Sequence, residues 1–91
     1  MKTTLEISMY PLSDQYIDIV VNFVDTIKKN HPEIRIETNG LSTQVFADYD
    51  TIMQIFQNEI KEYLSAHKSV FVFKLASGEH TPESVHATIK N

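Results

Sequence analysis

The Asn39-Gly40 pair constrains the fold most strongly, because it separates two strand-like runs of sequence. Asn and Gly most readily take the positive φ angles of a two-residue type I′ turn. The pair therefore predicts a β-hairpin with strands over 34–38 and 41–47. Small polar residues follow the turn, where strands usually carry Val, Ile or aromatic residues. This surplus of hydrogen-bonding groups makes the hairpin the first candidate for a functional site.

The flanking sequence supplies the remaining elements. Alternation of apolar and polar residues over 5–10 predicts a first strand. Apolar residues at helical spacing predict one helix after Ser13 and a second from near Asp48 or Asp50. A nearly continuous apolar run over 69–75 predicts a last strand that is buried on both faces. The element order is therefore βαββαβ.

This order favours one arrangement, a ferredoxin-like α+β sandwich. Right-handed crossovers and a central hairpin give a four-stranded antiparallel sheet with two helices on one face. Thr81-Pro82 predicts a short C-terminal helix that continues through Ile89. A length of 91 residues predicts a single domain over 1–91, with its core at 3–76 and a C-terminal extension at 77–91.

Composition excludes several classes of partner. The net charge is −4 and the basic residues are scattered, which argues against binding to nucleic acid. The absence of cysteine excludes disulfides and thiolate metal sites, and it is compatible with a reducing compartment. No apolar run approaches the ~20 residues that span a bilayer, and the N-terminus has no signal-peptide pattern. We therefore expect a cytoplasmic protein that binds neither nucleic acid nor membrane.

The expected hairpin register collects polar groups on the face of the sheet opposite the helices. A two-residue turn pairs Thr38 with Leu41 and Ile36 with Thr43, and it turns Leu41 and Thr43 toward the helices. We call the opposite surface the open face. It gathers carboxylates, a guanidinium, hydroxyls, an amide and aromatic rings, contributed by Glu6, Ser8, Tyr10, Arg35, Glu37, Ser42, Gln44 and Phe46.

Three interpretations of the open face remain. It could be an ordinary solvated surface, or an interface between copies of the chain. It could also bind a small, flat, polar and cationic molecule. Carboxylates would then attract the cation or accept amino N–H groups, hydroxyl and amide groups would fix its orientation, and Tyr10 or Phe46 would stack on it.

Catalytic patterns are missing from the sequence. None of the four histidines forms an i, i+4 pair. Asp48 and Asp50 are explained first as helix-capping residues. Ser42 does not lie in a nucleophile-elbow sequence, and a small enzyme of the dimeric ferredoxin-like type would lack any acid–base pair that we can name. We expect no enzymatic activity, no metal and no cofactor.

Three stretches, over 6–12, 38–45 and 70–75, resemble the thiamine-binding YkoF-like family, formerly a domain of unknown function. The resemblance implies a cytoplasmic ferredoxin-like domain that assembles through its sheets into dimers or tetramers. It also implies binding of thiamine or its hydroxymethylpyrimidine moiety without catalysis. The positions that match the family pattern are Ser8, Tyr10, Thr38, Asn39, Ser42 and Thr43.

Two hypotheses follow from the sequence. The first is a non-enzymatic protein that binds thiamine or its hydroxymethylpyrimidine moiety, that is, a small cationic or aminopyrimidine ligand. The second is a homo-oligomeric structural or regulatory module with no small-molecule ligand. For the first hypothesis the predicted ligand-binding residues are Glu6, Ser8, Tyr10, Glu37, Thr38, Asn39, Ser42, Thr43, Gln44 and Phe46.

Overall fold

The computed structural model of the chain describes residues 1–84, and it confirms the predicted ferredoxin-like fold class. Four strands form one antiparallel sheet in the order β2-β3-β1-β4. Helices cover one face of this sheet, as predicted. The strands are β1 (Lys2–Pro11), β2 (Arg35–Thr38), β3 (Thr43–Asp48) and β4 (Ser69–Ser77).

The first helix, α1, runs over Tyr16–Asn30. The second predicted helix consists of α2 (Tyr49–Ile55), a π-helical turn (Phe56–Ile60) and α3 (Lys61–Ala66). Five residues of regular α-helix would place Ile55 and Ile60 about 140° apart around the axis. The wider π turn brings both side chains to the core, where each is buried.

The hydrophobic core lies between these helices and the inner face of the sheet. Strands β1 and β3 alternate, so that every second side chain points at the helices. Phe23 of α1 packs edge-on against Tyr63 and Phe71, with ring centroids 5.2 and 5.4 Å apart. The buried core consists of Leu5, Ile7, Phe23, Val24, Ile27, Val45, Ile52, Ile55 and Ile60.

The hairpin register differs from the predicted one. Thr38 pairs with Thr43, so the turn is a four-residue loop over 39–42 and the predicted two-residue turn is wrong. Neither Asn39 nor Gly40 takes a positive φ. Asn39 instead closes the loop with its side chain, because its Oδ1 accepts hydrogen bonds from the backbone N–H of Leu41 (2.8 Å) and Ser42 (3.1 Å).

The difference in register leaves the faces of the strands unchanged. The true pairing is displaced from the predicted one by two residues, and side-chain direction in a strand repeats every two residues. Glu37 and Gln44 therefore lie opposite each other on the open face. Leu41 was wrongly predicted to point at the helices, since it lies in the loop and is 88% exposed.

Strand β4 was predicted to be buried on both faces, and this is also wrong. It is an edge strand whose burial alternates along its length. Phe71 and Phe73 pack against the core, whereas Val70 and Val72 lie on the open face, with Val72 54% exposed. An apolar run cannot reveal whether something covers its second face.

The C-terminal extension folds back over part of the open face. Gly78 turns the chain with a φ of 89°, and its N–H donates to the carbonyl of Lys2 (2.8 Å). Thr4 Oγ1 donates to the Gly78 carbonyl (2.8 Å) and accepts from the His80 N–H (2.9 Å). The chain is helical again at 82–84, and the predicted continuation of this helix through Ile89 lies outside the described residues.

Replacing Gly78 by alanine tests the role of this turn. Left-handed backbone disfavours a Cβ, so we expect Gly78→Ala to lower the free energy of unfolding by about 1–2 kcal/mol. Gly40→Ala is the matched control, because Gly40 has ordinary φ and a Cβ there would meet no atom within 4 Å. Urea titrations that show equal stability for the two variants would contradict the expectation.

Among residues 1–84, no helix is both long and apolar enough to cross a membrane.

Candidate functional site

A pocket opens where the hairpin loop, the end of β1 and the first half of α1 meet. Strand β3 pairs with β1 only as far as Ile7 and Thr43, whereas β4 pairs with β1 as far as Pro11. Beyond Ile7, β1 therefore has a neighbouring strand on one side only in the described part of the chain. The loop over 39–42 and α1 flank the gap and enclose about 380 Å³. We call this space the hairpin pocket.

The hairpin pocket has apolar walls and a polar rim. On its helix side it is lined by Tyr16, Ile17, Val20 and Val21, of which Ile17 is 61% exposed. Hydroxyl and amide side chains from β1 and the loop supply the polar groups. No Asp, Glu, Lys or Arg lines it within the described part of the chain. This size and composition are typical of sites for small organic ligands.

Six of the ten predicted ligand-binding residues line this one pocket. They come from two places in the sequence, the first strand and the hairpin, which the sheet brings side by side. The other four predicted residues, Glu6, Glu37, Gln44 and Phe46, lie on the sheet outside the pocket lining. The six lining residues are Ser8, Tyr10, Thr38, Asn39, Ser42 and Thr43.

A chain of hydrogen bonds joins the pocket to the open face. Ser42 Oγ donates to Glu6 Oε2 (2.9 Å), and Gln44 Nε2 donates to Ser42 Oγ (2.8 Å). Lys74 Nζ lies 3.9 Å from the other carboxylate oxygen, Glu6 Oε1. Glu6 and Gln44 therefore do not line the pocket, but both form hydrogen bonds with Ser42, which does.

Phe46 and Thr43 are buried, and Glu37 and Thr38 have partners within the protein. Phe46 is 4% exposed, and the guanidinium of Arg35 lies 5.6 Å from the centre of its ring. Thr43 is buried and shares a hydrogen bond of 3.2 Å with the hydroxyl of Thr38. Glu37 interacts with Arg35, with 3.5 Å between Oε2 and Nε. As the protein is folded, the Phe46 ring is therefore not open to stacking with a ligand.

Arg35 also holds the C-terminal extension. Its Nη1 and Nη2 donate to the two carboxylate oxygens of Glu83, each at 3.0 Å. These hydrogen bonds are the main reason why the pKa of Glu83 is lowered to about 2, and a hydrogen bond with Thr81 also lowers this pKa. The same bonds raise the pKa of Arg35.

The depressed pKa of Glu83 predicts how the extension responds to pH. A carboxyl group whose pKa is lower in the folded protein stabilises the folded contact at pH values above its usual pKa. This stabilisation is lost as the pH falls through the lowered pKa. The contact should therefore persist at neutral pH and weaken between about pH 4.5 and about pH 2. An NMR titration of the Glu83 carboxyl should show a midpoint near 2 in the native chain. In Arg35→Gln it should move toward 4.5, and an unchanged midpoint would contradict the pairing.

Two features of the structure were not predicted from sequence. The first is the apolar wall of the pocket. Its signal in the sequence was that the apolar stripe of α1 extends further toward the N-terminus of the helix than burial of the core requires. The second is a buried polar cluster at the π-helical turn. Glu59 is 2% exposed and contacts His31 Nε2 (3.0 Å) and Asn30 Nδ2 (2.9 Å). Glu59 follows Ile55 by four residues and therefore lies on the inner side of the helix. This spacing was the feature of the sequence that could have predicted its burial.

The structure resembles several solved structures over nearly the whole chain. A candidate thiamine biosynthesis/salvage protein of Thermotoga maritima, TM0486, matches with a TM-score of 0.76 and 16% identity, covering 98% of this chain and 99% of that one. A hypothetical protein of Methanocaldococcus jannascii, MJ1052, matches with a TM-score of 0.75 and 24% identity, covering 98% and 96%.

A domain of unknown function, DUF77, from Bacillus cereus matches with a TM-score of 0.68 and 13% identity, covering 89% of this chain and 80% of that one. No protein-family model and no curated protein matches the chain. At identities this low, the likeness concerns the fold. The chain thus shares its ferredoxin-like architecture with these proteins.

Proposed function

We propose that this chain is a non-enzymatic binding protein for thiamine or its hydroxymethylpyrimidine moiety, with the hairpin pocket as the site. The observation that carries the proposal is the convergence of six predicted ligand-binding residues on one pocket of about 380 Å³. The name of the Thermotoga maritima protein, which has the same fold, points to the same class of ligand.

The chemistry of the pocket suits the pyrimidine half of the ligand. Apolar walls and the rings of Tyr10 and Tyr16 can contact the faces of a flat heterocycle. Hydroxyl and amide groups at the rim can bind its amino group and ring nitrogen. Among residues 1–84, no charged side chain in the pocket lining can pair with a thiazolium cation, whereas the carboxylate of Glu6 lies next to the pocket at Ser42. The pyrimidine would therefore enter the pocket, and the thiazolium would remain outside.

Isothermal titration calorimetry tests the proposal directly. We expect binding heat when the protein is titrated with hydroxymethylpyrimidine or thiamine at millimolar concentration. Native mass spectrometry of the same sample reports any ligand that co-purifies. Absence of heat with both compounds would refute the proposed function.

A second candidate function rests on a different surface. Tyr10, Val70 and Val72 are exposed on the same side of the sheet, at the β1–β4 edge. This apolar strip favours a homo-oligomeric structural or regulatory module that pairs through its sheet. Sedimentation at micromolar concentration should then show a dimer or tetramer, and a monomer would count against this function.

A further inference from the structure

Two neighbouring side chains determine how the hydroxyl of Ser42 can form hydrogen bonds. A serine hydroxyl has one hydrogen to donate and two lone pairs that accept. A carboxylate can only accept, so Glu6 Oε2 takes the single hydrogen at 2.9 Å. Gln44 Nε2 occupies one lone pair at 2.8 Å. Toward a ligand in the hairpin pocket, Ser42 Oγ can therefore act only as an acceptor.

The side-chain amide of Asn39 has the opposite role, because only its donor group remains available. Its Oδ1 already accepts from the backbone N–H groups of Leu41 and Ser42. These two donors also fix which end of the amide is oxygen. Its Nδ2 has no hydrogen-bond partner among the described residues, and an amide nitrogen can only donate. The rim of the pocket thus offers a donor at Asn39 and an acceptor at Ser42.

We infer that Glu6 is a positioning residue that makes the pocket select amino over oxo pyrimidines, acting through Ser42. This inference rests on the proposed function. A 4-aminopyrimidine carries an N–H donor beside a ring nitrogen that accepts, which complements Ser42 and Asn39. The 4-oxo analogue presents a carbonyl acceptor beside a ring N–H. The 5-substituent lies on the Ser42 side, as proposed above for the thiazolium, which places C4 at Ser42 and the ring nitrogen at Asn39. In this orientation both groups of the 4-oxo analogue have the wrong polarity for the rim, and a site with fixed polar groups rejects such an analogue.

The test compares two ligands that differ at one position, the 4-amino and 4-oxo forms of 5-hydroxymethyl-2-methylpyrimidine. Calorimetry near neutral pH should show the amino form binding the wild-type protein about tenfold more tightly, as one hydrogen bond allows. In Glu6→Gln the side-chain amide can donate to Ser42 as well as accept from it. The hydroxyl is then no longer restricted to accepting, and the ratio of the affinities for the amino and oxo forms should fall toward one.

Two matched variants separate polarity from charge. Glu62→Gln removes the same charge from an exposed position on α3, and it should keep the tenfold preference. The double exchange Glu6→Gln with Gln44→Glu moves the carboxylate to the other side of Ser42. It should restore the preference, because Ser42 again donates to a carboxylate and accepts from an amide. A purely structural role for Glu6 would not be rescued in this way.

The outcomes are distinct. Equal binding of both ligands by the wild-type protein would overturn this inference and leave the proposed function standing. Failure to bind either ligand would overturn both. A folded Glu6→Gln variant that keeps the full preference would also overturn the inference. Should that variant fail to fold, Ser42→Ala decides, because an unchanged preference without the hydroxyl would refute the mechanism.

Discussion

Val20→Trp should reduce binding of hydroxymethylpyrimidine by at least about 100-fold, to the limit of calorimetric detection. Val20 lies on α1 and lines the hairpin pocket. An indole at this position would occupy the space that a flat heterocycle needs. The pocket opens to solvent, so the larger side chain can be accommodated with little strain on the buried core. The melting temperature should therefore stay close to that of the wild-type protein.

Asn22→Trp is the matched control for this variant. It introduces the same side chain on the same helix, at an exposed position outside the pocket lining. It should bind the ligand as the wild-type protein does. If Val20→Trp folds and still binds at wild-type affinity, the ligand does not occupy the hairpin pocket. If both variants lose binding, the loss reflects the helix and not the pocket.

Glu59→Ala should destabilise the fold by about 1–3 kcal/mol, the cost of leaving a buried hydrogen-bonding group without its partner. The carboxylate is 2% exposed and accepts hydrogen bonds from His31 and Asn30. Alanine would remove the partner of the buried His31 ring. Chemical denaturation monitored by far-UV circular dichroism measures the loss.

Two further variants locate the cause of this loss. Glu59→Gln keeps the volume and one carbonyl oxygen, so it should cost less than Glu59→Ala does. Glu62→Ala, at an exposed position one turn further on, should change stability by less than about 0.5 kcal/mol. If Glu59→Ala were as stable as Glu62→Ala, the buried cluster would contribute nothing to the fold.

Prediction from sequence succeeded where the signal was local. The alternation around Leu5 and Ile7 located β1, and the Asn39-Gly40 pair located the hairpin. The predicted turn type was wrong, yet the faces of β2 and β3 were right, because the true register differs from the predicted one by an even number of residues. An odd difference would have exchanged the two faces and misplaced Glu37 and Gln44.

Prediction failed where burial depends on distant parts of the chain. Val70 and Val72 are as apolar as core residues, but β4 is an edge strand and nothing among residues 1–84 covers them. Phe46 alternates onto the open face as predicted, and the guanidinium of Arg35, which also binds Glu83, lies over its ring. Glu59 is buried because a π-helical turn and the end of α1 meet around it.

The sequence by itself determined the order of the elements, the face on which each strand residue lies, and the residue types available at the hairpin. These follow from periodicities of two and 3.6 residues, which a chain carries locally. Only the tertiary structure decided that β3 stops pairing at Ile7, that α1 overhangs the resulting gap, and that Ser42 lies between Glu6 and Gln44. The pocket and the polarity of its rim depend on contacts between segments far apart in the chain, and local periodicity does not encode those contacts.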